Sequence, residues 1–144
     1  MPNWVTQNVT VKGDKQKLEK FKKDHFNNEG QFDFETIIPM PNTVFRGPVG
    51  QKEREEHGTN NWYDWSIENW GTKWNAFRTD MCMSREDLIL NFDTAWSVPI
   101  PIYDKLAEMY PDLEFHVFFD EESGAFNGKI EIINGKVEEV FYEN

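Results

Sequence analysis

The chain contains one cysteine, Cys82, so no disulfide can form within it. A reducing compartment fits that usage. No apolar run approaches the ~18–20 residues that a membrane helix requires, so no membrane association is expected. No basic stretch with an apolar core precedes the first strand-like pattern, so no secretion signal is expected and the cytoplasm is the expected location. Without that signal, Asn8-Val9-Thr10 reads as strand sequence rather than a glycosylation site. Phosphate-binding glycine loops, CxxC pairs, HExxH and calcium-loop spacings are all missing. No catalytic constellation, metal or cofactor is therefore expected. His25, His57 and His116 stand far apart on different elements and read as ordinary structural residues. Cys82 reads as a small strand residue, since a reactive thiol needs a basic neighbour.

Positive charge is also scarce. Fifteen Lys and Arg face 26 Asp and Glu, a net charge of −11. Residues 1–72 carry a net −2 and residues 73–144 a net −9. Such an imbalance keeps a small protein in solution, or steers it toward a basic partner. It opposes nucleic-acid binding, which rests on Lys and Arg neutralising phosphates.

The 144 residues are 38% hydrophobic and 15% aromatic. A chain of about 150 residues buries roughly 68–70% of its unfolded surface, enough for one ordinary domain over 1–144. Residues 4–12 alternate, with Val5, Val9 and Val11 on one face and Thr6, Asn8 and Thr10 on the other, which predicts a half-buried strand. Asp14 can cap a helix running to about Asn28, with Leu18, Phe21 and His25 on its apolar stripe. Residues 31–60 read as a long excursion, with an extended piece at Phe32 and Phe34 and a helical turn near Lys52–His57. Asn60 or Asn61 can cap a short helix that Gly71 closes. Residues 73–83 and 87–96 predict a hairpin, with Leu88, Leu90, Phe92, Thr94 and Trp96 on one face. Pro99 and Pro101 introduce a helix with Ile102, Leu106 and Met109 on its stripe, and Pro111 ends it. Strands follow at 113–119, with Leu113, Phe115, Val117 and Phe119 on one face, then at 125–133 and 136–142 across Asn134-Gly135. The expected fold is α+β: a ferredoxin-like antiparallel βαββαβ sheet with extra C-terminal strands, two main helices on one face and a helical insert.

Two sets of residues are candidates for a site. The first is the aromatic segment Trp62 to Trp74, where Trp62, Trp65, Trp70 and Trp74 stand among Asp64, Asn69 and Lys73. Such a segment is either a packing corner or a concave site whose indoles stack on a nucleotide or metabolite, with weak catalysis as an extension. Asp64 and Glu68, at i and i+4, share a helix face, although ordinary solvation explains them. The second set is acidic: Asp120, Glu121, Glu122, Glu131, Glu138 and Glu139, as a face for a basic partner. Asp120-Glu121-Glu122 before Ser123-Gly124 reads as a charged turn.

Four stretches carry a family resemblance. They are Met1-Pro2-Asn3-Trp4, Pro39-Met40-Pro41, Asn61-Trp62-Tyr63-Asp64-Trp65 running into Glu68-Asn69-Trp70-Gly71-Thr72-Lys73-Trp74-Asn75-Ala76, and Thr94-Ala95-Trp96-Ser97. Together they resemble the YubB ferredoxin-like family, small proteins of bacteriophages, prophages and plasmids. Val98 stands where many members carry a second proline, which touches only the start of the helix. The resemblance implies a ferredoxin-like fold and a mobile-element origin, and supplies no catalytic residues. The expected function is a non-catalytic acidic binding protein, monomeric or a small homo-oligomer, aimed at a basic host protein such as a defence nuclease. Nucleotide or metabolite binding at Trp62–Trp74 is the alternative. RNA recognition through sheet aromatics ranks below both because of the charge.

Overall fold

The computed structural model describes residues 2–143. Six strands form one antiparallel sheet: β1 Trp4–Lys12, β2 Phe77–Met83, β3 Asp87–Ala95, β4 Glu114–Glu121, β5 Phe126–Ile133 and β6 Lys136–Glu143. Their spatial order is β2-β3-β1-β4-β5-β6. The helices are α1 Lys15–His25, α2 Gln51–His57, α3 Trp62–Asn69 and α4 Ile100–Met109. The chain thus runs β1-α1-(insert)-β2-β3-α4-β4, with β5 and β6 extending one side, which is the ferredoxin-like arrangement anticipated from the sequence.

The alternating pattern decides which face is covered. Val5, Val9 and Val11 of β1, Leu88, Leu90 and Phe92 of β3, and Phe115, Val117 and Phe119 of β4 are buried. They pack against Leu18 and Phe21 of α1 and Ile102, Tyr103 and Leu106 of α4. One polar chain crosses this layer. The Tyr103 hydroxyl donates to Gln7 Oε1 at 2.8 Å, and Gln7 Nε2 donates to Thr94 Oγ1 at 3.3 Å. Phe32, Phe34, Ile37, Met40 and Val44 of the insert join the same core. The β5–β6 hairpin turns at Asn134 (φ 54°) and Gly135 (φ 76°), the paired left-handed geometry that an Asn-Gly turn supplies.

Several local expectations shift. Helix α1 stops at His25, because Phe26 is extended and bridges to Phe32. The Asn27 side chain then accepts from the Glu29 and Gln31 amides. Asp14 holds the cap position without a side-chain cap bond. Phe32 makes only that bridge, and Phe34–Thr36 is a 3-10 turn capped by the Asp33 carboxylate. Strand β2 starts at Phe77 rather than 73, since Asn75 ties the preceding stretch to the Phe34 amide and Asp33. Trp96 leaves the buried face of β3: its φ of 73° turns the chain outward, and the ring is half exposed. Met109 is exposed on the last turn of α4, and Tyr110 packs on Phe21 and Phe115 instead.

Candidate functional site

The aromatic segment divides. Asn61 caps α3, accepting from the Asp64 amide at 2.9 Å while its Nδ2 donates to Asp64 Oδ2 at 2.7 Å. Arg54 donates to the same carboxylate oxygen at 2.8 Å. Asp64 therefore clasps α2 to α3, whereas Glu68 is exposed, so the two do not form a carboxylate pair. The Trp62 indole donates to the Gly47 carbonyl at 2.9 Å and the Trp70 indole to Ile38 at 2.8 Å. Trp65 lies edge-on to Trp70, with ring centres 5.2 Å apart, and Asn69 Nδ2 donates to the Trp65 carbonyl. These five residues serve a packing corner, and the Trp62 and Trp70 indole N–H groups, the Asp64 carboxylate and the Asn69 amide nitrogen are used in building it. Of the sequence-predicted set, Lys73 and Trp74 remain at the surface.

There they meet residues that sequence reasoning did not connect to them. Trp4 stacks on Phe77, with centres 5.1 Å apart and planes 17° apart, and packs against Trp74 at 5.9 Å. The Lys73 ammonium lies 4.6 Å from the Trp74 ring centre and 5.8 Å from that of Tyr63. The Arg78 guanidinium lies 4.8 Å from the Trp4 ring centre and 2.9 Å from the Asp93 carboxylate. Arg78 reaches that place from a left-handed backbone (φ 52°), where the β2–β3 register shifts between Phe77 and Asp80. A left-handed arginine stores strain of order 1 kcal/mol, which the stacked guanidinium and its ion pair offset. The result is a cation–aromatic cluster with Phe77 half exposed.

The cluster sits at one corner of the sheet face that no helix covers among the described residues. Register places side chains on that face in rows across the strands. One row runs Asp80, Asn91, Asn8, Phe118, Lys129 and Val140. The next runs Cys82, Ile89, Thr10, His116, Glu131 and Glu138. On the other side lie Asp93, Thr6, Asp120, Asn127 and Tyr142. Phe118 is 63% exposed at the centre, with Val140, Tyr142 and Ile89 also exposed. His116 is held between Glu131 and Glu114, the latter at 3.1 Å. Acids outnumber bases over this surface.

The six acidic candidates do not form one face. Asp120, Glu131 and Glu138 lie on the open side. Glu139 pairs with Ile130, a buried residue of the helix-facing side, and so points the other way. Glu122 is exposed beyond the end of β4. Glu121 is buried and builds the charged turn: its carboxylate accepts from the Ser123 hydroxyl, the Ser123 amide at 2.7 Å and the Ala125 amide at 3.1 Å. The Ser123 side-chain bond, then the backbone bonds, lower its pKa. The alternation points Glu121 inward, since it continues the buried parity of Phe119, but a strand expected to end at 119 leaves it out.

Among the described residues, no three His, Cys, Asp or Glu gather as metal ligands, and no helix is long and apolar enough to cross a membrane. Cys82 is an exposed strand residue. Phe118 was legible as a signal, because the Phe118-Phe119 pair must place one ring on each face of β4. Trp4 was likewise on the polar parity of β1. The role of Arg78 was not, since a left-handed bulge breaks the alternation.

These features define a ferredoxin-like α+β domain with one sheet face left uncovered. The chain belongs to the family described as the ferredoxin-like domain in Api92-like protein, whose model matches residues 69–144. It is also similar to the crystal structure of protein api92 from Yersinia pseudotuberculosis, at 20% identity and a TM-score of 0.52. That match covers 60% of this chain and 32% of the other, so the chain corresponds to about a third of that protein. No functionally curated protein matches the sequence.

Proposed function

We infer that the domain is a non-catalytic binding module that docks a basic protein surface on its open sheet face. The observation that supports this reading is Phe118, 63% exposed at the middle of the sheet, with Asn8 and Lys129 directly beside it and the carboxylates of Asp120, Glu131 and Glu138 farther out on the same face. An exposed apolar centre with a charged rim is the usual anatomy of a protein-binding patch. The rim is acidic through Asp80, Asp93, Asp120, Glu131 and Glu138, which favours a basic partner and repels a phosphate backbone. The YubB resemblance extends the reading to a phage- or plasmid-borne accessory protein acting in the bacterial cytoplasm. On that extension the partner is a host protein, with the nucleic-acid channel of a defence nuclease as the specific target.

The test is retention of proteins from bacterial lysate on the immobilised chain at low and high salt, beside Phe118→Ser and Asp120→Lys/Glu138→Lys variants. A basic protein held at low salt, released at high salt and lost by both variants supports the reading. Retention that is unchanged in Phe118→Ser refutes it. Addition of the chain to the purified retained protein then tests inhibition of nuclease activity directly.

A second reading rests on the cation–aromatic cluster. Trp74 and Phe77 present exposed rings beside Lys73 and Arg78, a surface suited to a planar anionic ligand such as a nucleotide. Quenching of tryptophan fluorescence by nucleotides, lost in Trp74→Ala, checks it.

A further inference from the structure

Strand β2 is one edge of the sheet, and its outer side is a surface separate from the open face. Ser84 N donates to the Asp87 carbonyl at 2.8 Å, which fixes the hydrogen-bonding phase of the β2–β3 hairpin. Counting back by twos, Cys82–Ile89 and Asp80–Asn91 are the bonded pairs. The N–H and C=O groups of Met81 and Met83 therefore point away from the sheet. At Thr79, one step earlier, the outward N–H is taken by Gln31 Oε1 at 3.1 Å. Nothing equivalent covers Met81 and Met83 among the described residues.

The side chains of the same two methionines turn toward α1 and floor a groove of about 540 Å³. Phe26 lines it with them, and Lys22 and Lys23 stand on its helical wall. Both lysines are exposed, and neither joins an ion pair among the described residues. Their neighbours differ: Lys17 pairs with Asp112 and Lys20 with Asp24, both at 2.5 Å. Glu19 is the one acid on the lining. In a chain of net charge −11, this groove is locally basic.

An edge strand beside a helix, with free main-chain groups and an apolar floor, has the shape needed to accept an added strand. We propose that the α1–β2 groove binds an extended peptide that pairs with the Met81–Met83 edge, sets apolar side chains on Met81, Met83 and Phe26, and presents carboxylates to Lys22 and Lys23. Main-chain bonds supply affinity and the alternate side chains supply specificity. Charge complementarity selects an acidic segment, and the flexible methionines accommodate different apolar side chains.

The probe is a fluorescein-labelled peptide of about nine residues, roughly 30 Å when extended. Its alternate positions read Glu, Val, Val, Glu with serine between them, and a control carries Lys for each Glu. The acidic peptide is expected to bind at least about tenfold more tightly than the control, and Lys22→Glu/Lys23→Glu is expected to reverse that preference. On binding, the Met81 and Met83 amides should slow in hydrogen exchange. Met81→Pro removes one outward N–H without touching the bonds to β3 and should weaken binding by about tenfold. Amide-resolved NMR of each variant verifies the fold, and the lysine pair carries the test if the proline variant unfolds. Equal binding of both peptides, or amide shifts confined to the Phe118 face, overturns the proposal. So does self-association through β6 of a second copy that excludes the peptide.

Discussion

The indole N–H of Trp70 donates to the carbonyl of Ile38 at 2.8 Å, joining the aromatic segment to an insert residue 32 positions earlier. Trp70 is buried, whereas Trp74, four residues on, is 37% exposed. Trp70→Phe keeps most of the apolar body and orphans the Ile38 carbonyl, at a cost of about 1–2 kcal/mol. Trp70→Ala should cost roughly 3–5 kcal/mol. Trp74→Ala should stay within about 0.5 kcal/mol. Urea unfolding of the three variants checks the ordering, and a Trp74 effect as large as that of Trp70 would contradict the division into corner and surface.

Ser66, in α3, has a buried hydroxyl with no hydrogen-bond partner among the described residues. Ser66→Ala removes an unsatisfied polar atom and substitutes a better helix former. Stability should rise by about 0.5–1 kcal/mol. Thermal unfolding measures it, and a fall in Tm would show that the hydroxyl has a partner in solution.

Gly128 lies in β5 where an added Cβ would stand 2.1 Å from the Val140 carbonyl oxygen and 2.5 Å from the Phe119 ring. Backbone contact of that kind has no cheap relaxation. Gly128→Ala should cost about 3 kcal/mol and should speed amide exchange first in β6. Unchanged protection of Val140 would argue against the close β5–β6 approach.

His25 is buried, with Nδ1 2.8 Å from Thr36 Oγ1 and Nε2 2.5 Å from the Tyr110 hydroxyl. Burial lowers its pKa, partly opposed by the nearby Asp24 carboxylate and reinforced by the Lys20 charge. The folded state therefore binds its proton less readily than the unfolded chain. The stability tied to the neutral ring is fully present above the unfolded value of about 6.5, and is lost as pH falls toward the lower folded value. The urea midpoint should drop as pH falls below about 6.5, and His25→Gln should flatten that drop. Asp24 and Asp112, held low by bonds to Lys20 and Lys17, act only below about pH 4 and so do not confuse the window.

Much of the fold was legible because it is periodic. The alternation in β1, β3 and β4 identified the buried faces, Asn134-Gly135 marked its turn, and the Asn60-Asn61 pair marked a helix start at which the structure makes Asn61 the cap. The candidate site was legible only in part. Composition flagged Trp62–Trp74 as unusual without saying which indoles would be consumed in packing. Net charge flagged the C-terminal half without showing that Glu121 turns inward and Glu139 turns away from Asp120.

The linear sequence by itself determined the strand and helix periods, the scarcity of positive charge, and the residues that resemble a known family, because these are local or additive properties. Tertiary structure decided the rest. It set which sheet face stays uncovered, brought Trp4 beside Phe77 from 73 positions away, and left the Met81–Met83 edge open beside Lys22 and Lys23. Those outcomes depend on strand order and hydrogen-bonding phase, and both are settled only when distant segments compete for the same core.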